Sequence, residues 1–210
     1  MIILIGAIKG GAGKSTLATN IAAFLAKNNK DVILVDADRQ GTTSNWSQDR
    51  ADSNAAHIES VSKFDNIKLA LRDLNRRYDY VVVDSQGRDS VELRTGLLSA
   101  DVCIVPCRPS QADLDTIPAI NNIVNNAREI NESLRAFCVL TQSPTNPTIT
   151  EIQQAREFLL SFGSEMKLLE TIIFERKVYR DALAQGLGVC ELDNEKAALE
   201  IAGVFAEVGL

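Results

Sequence analysis

Lys9-Gly10-Gly11-Ala12-Gly13-Lys14-Ser15-Thr16 follows directly on the apolar run Ile2-Ile3-Leu4-Ile5. Three glycines in four positions let the backbone turn so tightly that its N–H groups converge on one phosphate oxygen. Lys14 adds a mobile positive charge for outer phosphates, and the Ser15 hydroxyl suits Mg²⁺. The helix expected to start here points its N-terminal dipole at the same anion. The string reads as a phosphate-binding loop of unusual form. Counting back from Gly13, the first glycine of G-x-x-x-x-G-K-[ST] is replaced by Ile8, and an extra lysine, Lys9, opens the loop.

Outward from this loop, apolar runs of strand length recur at 2–7, 32–35, 80–83, 102–105, 136–140 and 168–173. Most are continuous rather than alternating, as expected of parallel strands covered on both faces. Segments of helical period lie at 15–27, 64–76, 89–98, 116–130, 149–162, 176–185 and 195–207. Alternating β and α units imply right-handed crossovers and a doubly wound, mainly parallel α/β sheet with helices on both faces. No linker or repeat divides the 210 residues, so residues 1–210 read as one domain. Asn28-Asn29 stops the first helix, Thr116 caps the helix containing Pro118, and Thr148 or Thr150 caps the next.

Composition narrows the classes. Hydrophobic residues make up 45% of the chain, enough for a core without staples. Cys103, Cys107, Cys138 and Cys190 form no C-x-x-C pair, and the only histidine is His57, so metal or iron–sulfur spacing is absent. The cysteines read as small apolar residues and His57 as a surface position. No apolar stretch reaches the roughly 18 residues of a membrane span and no signal segment opens the chain, so a soluble cytoplasmic protein is expected. The net charge of −6 does not advertise nucleic-acid binding globally, though a local basic patch is a separate quantity.

Ligands of such a sheet bind beyond the carboxyl ends of its strands, and acidic residues stand there. Val32–Val35 runs into Asp36-Ala37-Asp38, and Tyr80–Val83 into Asp84. Four apolar residues followed by Asp84, with a phosphate loop elsewhere, form a Walker-B-type arrangement for Mg²⁺ bridging the outer phosphates. Asp36 and Asp38 lie two apart on extended chain and point to the same side. Asp36 then stays near the metal while Asp38 reaches forward to position an attacking water; an Asx turn opening a loop over 39–45 is the structural alternative for Asp38.

These residues resemble the ParA/MinD superfamily of P-loop ATPases. Lys9–Ser15 is similar to its deviant Walker A box, Val35-Asp36-Ala37-Asp38-Arg39-Gln40-Gly41 to its D-x-D-P-Q-G segment, and Asp84-Ser85-Gln86-Gly87 to its Walker B region. The likeness continues through Ser99–Pro106, Pro109-Ser110 and Arg176-Lys177-Val178-Tyr179, covering essentially the whole chain. Its length is similar to that of the small plasmid-partition ParA proteins of the ParF type. The resemblance implies an ATP- and Mg²⁺-dependent homodimer with nucleotide at the interface, in which Lys9 crosses to the partner's nucleotide. It places Gly10, Gly11, Ala12, Gly13, Lys14, Ser15 and Thr16 on the phosphates and Ser15, Asp36 and Asp84 at the metal. Adenine is implied near Thr141-Gln142 and Phe174-Glu175-Arg176. Arg39 in place of proline and Ser85-Gln86 in place of small or proline residues are departures from the pattern.

Cargo is a separate question. A segment over Glu195–Glu207 places apolar residues at 197, 201, 204, 205 and 208 and carries one lysine against three glutamates. Anionic lipid repels such a helix, so core packing is expected and no membrane partner. Arg176, Lys177 and Arg180 form the candidate contact with non-specific DNA, with few acids expected on their face. Two readings follow. One is a nucleoid-associated DNA-segregation ATPase stimulated by a ParB-like or ribbon-helix-helix centromere-binding adaptor. The other is a ParA-like positioning or scaffold ATPase for a non-plasmid cargo. A small-molecule ligase or iron–sulfur carrier is a weaker third, lacking the cysteines or substrate loops.

Overall fold

Consecutive strand side chains point to opposite faces, and β1 (Ile2–Ile5) is apolar at every position. Ile2 and Leu4 therefore enter one core, Ile3 and Ile5 another. In the computed structural model, which describes residues 1–146 and 150–209, β1 lies in the middle of a seven-stranded sheet. The other strands are β2 (Val32–Ala37), β3 (Glu59–Ser62), β4 (Tyr80–Ser85), β5 (Val102–Cys107), β6 (Arg135–Ser143) and β7 (Lys167–Phe174). Their order is β3-β2-β4-β1-β5-β6-β7, and every pairing is parallel. Helices cover both faces. On one lie α3 (Lys68–Leu74), α4 (Val91–Leu97), α6 (Ile117–Arg128) and α7 (Glu151–Ser161). On the other lie α1 (Lys14–Lys27), α2 (Thr42–Ala51), α8 (Lys177–Ala184) and α9 (Glu195–Val208).

The register matters more than the order. Ile5 pairs with Asp84, and Asp84 with Asp36. The chain end of β1 thus delivers the glycine-rich loop beside two buried carboxylates. Among the described residues, no helix is long and apolar enough to cross a membrane.

Several local expectations change. The residues read as a loop over 39–45 enter α2, a helix the periodicity hides because it is built from Thr, Ser, Asn and Gln. Its anchors are tertiary: Trp46 is buried and its indole N–H donates to the Leu187 carbonyl at 3.1 Å. Edge strand β3 is four residues, too short to stand out. The expected helix over 116–130 is preceded by a separate turn of helix, α5 (Gln111–Leu114). Thr116 stands at the start of α6, but its hydroxyl donates back to the Asp113 carbonyl instead of capping. Thr150 precedes α7 without a side-chain cap, and Thr148 lies outside the described residues. Asn28 does end α1, with Asn29 at a left-handed φ of 58°. Cys103, Cys107 and Cys138 are buried in the sheet core, and His57 is exposed.

Helix α9 packs its apolar positions on the sheet as expected, yet its glutamates are not a free face. Glu207 accepts the Glu170 and Thr171 N–H groups of β7, each at 2.7 Å, and Glu200 is buried. A buried ion pair ties α2 to the far end of the chain. Arg50, 1% exposed, bonds Glu191 with both terminal nitrogens (2.9 and 2.7 Å) and also reaches the Gly186 and Ala56 carbonyls. Removing one partner of such a pair leaves a charge buried. Glu191→Ala is expected to lower unfolding free energy by about 3 kcal/mol in urea titration. A loss below about 1 kcal/mol would show that Arg50 is satisfied by the carbonyls alone.

Candidate nucleotide-binding site

Helix α1 begins at Lys14, so the N–H groups of its first turn face the preceding loop. Gly11 and Gly13 adopt φ of 79° and 88°, a region that favours glycine, which is why the loop can coil this tightly. Two side chains from the end of β6 brace it. Thr141 Oγ1 donates to the Ala12 carbonyl and Gln142 Nε2 to the Gly11 carbonyl, both at 2.8 Å. Lys14 is buried and its Nζ folds back to the Lys9 carbonyl at 3.4 Å. Burial lowers its pKa, and the charges of Asp84 and Asp38 work in the opposite direction. Gly87 closes the loop from behind: a Cβ there would stand 2.9 Å from Gly10 N, Gly10 Cα and Lys14 Nζ.

The carboxylates at the strand ends differ in their hydrogen bonding. Asp84 is wholly buried, and neither of its oxygens has a hydrogen-bond partner among the described residues. Burial pushes its pKa up to about 7, with Asp36 and Asp38 adding to the rise while Ser15 and Lys14 oppose it. Asp36, expected at the metal, has both oxygens engaged. They accept the Asp38 N–H at 3.1 Å and the Ser44 N–H at 2.9 Å, pinning the β2–α2 loop. Asp36 thereby clamps the loop while each of its oxygens keeps a lone pair for a metal, and Asp84 is the carboxylate without such bonds among the described residues. Asp38 Oδ1 accepts the Gln40 N–H at 3.0 Å, an Asx turn. An orphaned buried carboxylate beside the Ser15 hydroxyl is a hard oxygen donor set, and it fits Mg²⁺.

Lys9 donates to Asp113 Oδ2 at 2.9 Å, because α5 delivers that carboxylate to the mouth of the loop. Asp113 also binds Arg108 at 3.0 Å and Ser110 at 2.7 Å. Burial works against its charge, but hydrogen bonds from Arg108, Lys9 and Ser110 outweigh it and hold the pKa below the ordinary carboxylate range. The expectation of few acids around Arg176, Lys177 and Arg180 fails, because their face carries an acid for each. Arg176 binds buried Glu200 at 2.7 Å and stacks over Phe174 at 5.3 Å. Lys177 pairs with Asp181 at 2.9 Å and Arg180 with Glu175 at 3.4 Å.

Arg176 and Arg180 both line a cavity of about 170 Å³ beside the loop, together with Gly13, Thr16, Thr141, Phe174 and Glu175 among others. The residues expected around the base thus meet the phosphate loop in one cavity. Glu200 organises its wall, accepting from Arg176 Nε at 2.7 Å, Tyr179 Oη at 2.8 Å and the Phe174 N–H at 3.3 Å. Sequence patterning missed Glu200 and Asp113, and it gave Gln142 and Gly87 no part in bracing or closing the phosphate loop. Each acts across a gap of tens of residues, and only Gly87, three residues beyond Asp84, offered a local signal.

The state of Asp84 has a measurable consequence. Its pKa is raised on folding, so the native state binds the proton more tightly, and stability falls as pH rises from about 4 to about 7. Each pH unit in that window weakens the fold by up to about 1.4 kcal/mol. Without metal, Asp84→Asn is expected to be more stable than wild type at pH 8 by a few kcal/mol, with the gap narrowing toward pH 4. Urea melts in chelator at pH 5 and 8 read this, and equal stabilities at both would refute it. Gly87→Ala is expected to fold yet bind nucleotide at least about tenfold more weakly, an effect of roughly 1.4 kcal/mol, by fluorescent-nucleotide titration.

The site and fold match known proteins. The CobQ/CobB/MinD/ParA nucleotide binding domain family matches residues 3–189. The Maintenance of carboxysome distribution protein A of Halothiobacillus neapolitanus is 32% identical over 209 residues, covering 96% of this chain and 93% of that protein. Among solved structures, apo McdA of Cyanothece superposes with a TM-score of 0.85 at 17% identity, covering 99% of each chain. A plasmid partition protein from Borrelia burgdorferi gives 0.66 at 20% identity, covering 99% of this chain and 98% of that one. The phosphate loop, the carboxylate row and the parallel sheet that joins them are those of a ParA/MinD-type P-loop protein, and the chain belongs to the CobQ/CobB/MinD/ParA nucleotide-binding family.

Proposed function

We propose that this chain is a Mg-ATP-dependent positioning ATPase of the ParA type whose cargo is a protein body such as a carboxysome, rather than a plasmid. The observation that carries this reading is the 32% identity to a carboxysome-distribution protein along almost the whole of both chains. That likeness supports the positioning alternative drawn from sequence better than DNA segregation.

In this reading the N–H groups of Gly10–Lys14 cradle the phosphates, with Lys14 neutralising the outer ones. The Phe174–Arg176 wall, held by Glu200, receives the base. Asp84 and Ser15 hold Mg²⁺, which when bound neutralises charge on the outer phosphate oxygens. Asp36 fixes the loop that carries Asp38, and Asp38 orients the attacking water. Lys9 leaves Asp113 for the nucleotide of a second copy, while Arg108 and Ser110 keep the buried Asp113 compensated. The exchange therefore strands no charge.

A non-specific DNA track is part of the proposal, with a smaller contact than expected. Exposed ion pairs are worth little, so Lys177 and Arg180 can trade their acids for phosphates. Arg176 is committed to the base cavity. Alanine at Lys177 or Arg180 is expected to reduce the log–log salt slope of DNA binding by about one per lost contact, whereas Arg176→Ala weakens nucleotide binding instead. An unchanged slope in both single variants would remove this surface from DNA.

Sedimentation tests the nucleotide switch: Mg-ATP, and not ADP, is expected to produce a dimer, which Lys9→Ala loses while still binding ATP. A monomer under every nucleotide would overturn the mechanism. Cargo is read by deleting the gene in its native cell. Collapsed spacing of protein bodies with stable plasmids is expected; plasmid loss with normal body spacing would restore the partition reading.

A further inference from the structure

Gln86 and Arg88 are absorbed by none of the roles above. Gln86 lies two residues beyond Asp84 and is itself buried. Its neighbour Gly87 approaches Gly10 and Lys14 Nζ so closely that no Cβ fits between them. The backbone at Gln86 therefore runs along the outer-phosphate end of the loop. With Asp38, Gln40 and Arg88, Gln86 lines a second cavity, of about 340 Å³. Arg88 Nε donates to Gln86 Oε1 at 2.7 Å. A guanidinium has donors only, so this bond decides which way the amide faces. Its oxygen is taken, and its NH₂ end has no partner among the described residues.

We propose that Gln86 is a catalytic residue that donates its amide N–H to the phosphoryl group in transfer, and that Arg88 is the positioning residue that presents it. The inference rests on the ATP-hydrolysis reading above. In that reaction the water oxygen forms a bond to the γ-phosphorus, and the bond from phosphorus to the bridging oxygen breaks. The electron pair of that bond leaves with ADP, and the proton of the water passes to the departing phosphate. Negative charge is spread over the equatorial oxygens at the transition state. A donor already fixed at those oxygens stabilises that charge without having to reorganise. Asp38 and Gln86 line one cavity from the loops after the neighbouring strands β2 and β4, which puts a carboxylate acceptor for the water and an amide donor for the phosphoryl group in the same space. This assigns work to a departure from the family pattern that otherwise has none.

Gln86→Glu separates the roles. The carboxylate keeps an oxygen for Arg88 and the side chain's shape but replaces the N–H donor with an acceptor and adds a negative charge, so Gln86→Ala, which removes the donor without adding charge, is measured beside it. The experiment measures, on the full-length chain with Mg-ATP, turnover, fluorescent-ATP affinity and trapping of ADP with aluminium fluoride, a mimic of the transferring group. Gln86→Glu and Gln86→Ala are expected to bind ATP within about threefold of wild type. Turnover is expected to fall on the order of 10²-fold, with ADP–aluminium fluoride trapping lost in parallel. Arg88→Ala lowers turnover about tenfold at unchanged KM, and Arg88→Lys, which still donates to Oε1, recovers part of it. Gln86→Glu with wild-type turnover and trapping overturns the proposal, because a purely structural bond to Arg88 survives that change. A wild-type chain that binds no ATP defeats the ATPase reading itself, a distinct failure visible before any variant is made.

Discussion

The structure is organised around a carboxylate that the protein leaves unpaired. Asp84 sits inside the sheet with neither oxygen hydrogen-bonded among the described residues, and burial, helped by the charges of Asp36 and Asp38, carries its pKa to about 7. A chain selected only for stability would replace or pair such a group, since each buried polar atom without a partner weakens the fold by about 1–3 kcal/mol. Its presence makes sense when a cation arrives with the ligand. The neighbours respect that vacancy of bonds: Asp36, one strand over, spends its oxygens on the backbone of the following loop, and Lys14 is held back on the Lys9 carbonyl.

Around that centre, loops from four strand ends are fastened to one another by single bonds. β6 braces the phosphate loop through Thr141 and Gln142, and Gly87 after β4 seats against Gly10. Asp113 after β5 restrains Lys9. None of these contacts belongs to the hydrophobic core, so each can change on ligand binding without disturbing the packing beneath. The cavity beside the loop is built otherwise. Glu200 reaches in from the last helix and fastens Phe174, Arg176 and Tyr179 together. The shape of that cavity is thus coupled to the docking of a C-terminal element that carries no recognisable motif.

Charge read along a sequence differs from charge available on a surface. Arg176, Lys177 and Arg180 look like a basic patch when written in a row, but Glu200, Asp181 and Glu175 meet them one for one. The distinction that survives is burial. Arg176 and Glu200 are largely shielded and hold each other, while the Lys177 and Arg180 pairs lie in solvent and exchange readily. Arg39, standing where relatives of this family type use proline, is likewise engaged, stacked over Phe64 at 4.6 Å and paired with Asp65 at 3.7 Å.

What the sequence determined by itself was whatever depends on neighbours along the chain. Glycines at the loop, continuous apolar runs and acids at strand ends are local patterns with local causes, and they specified the parallel sheet, the phosphate loop and the positions of Asp36, Asp38 and Asp84. Helix α2 escaped because Trp46 and Arg50 hold it through partners at Leu187 and Glu191, beyond any window of periodicity. The different hydrogen bonding of Asp36 and Asp84, the restraint of Lys9 by Asp113 and the pairing of Gln86 with Arg88 were decided by tertiary structure. Each depends on which oxygen meets which donor, and strand register and loop closure bring those atoms together only once the sheet has formed.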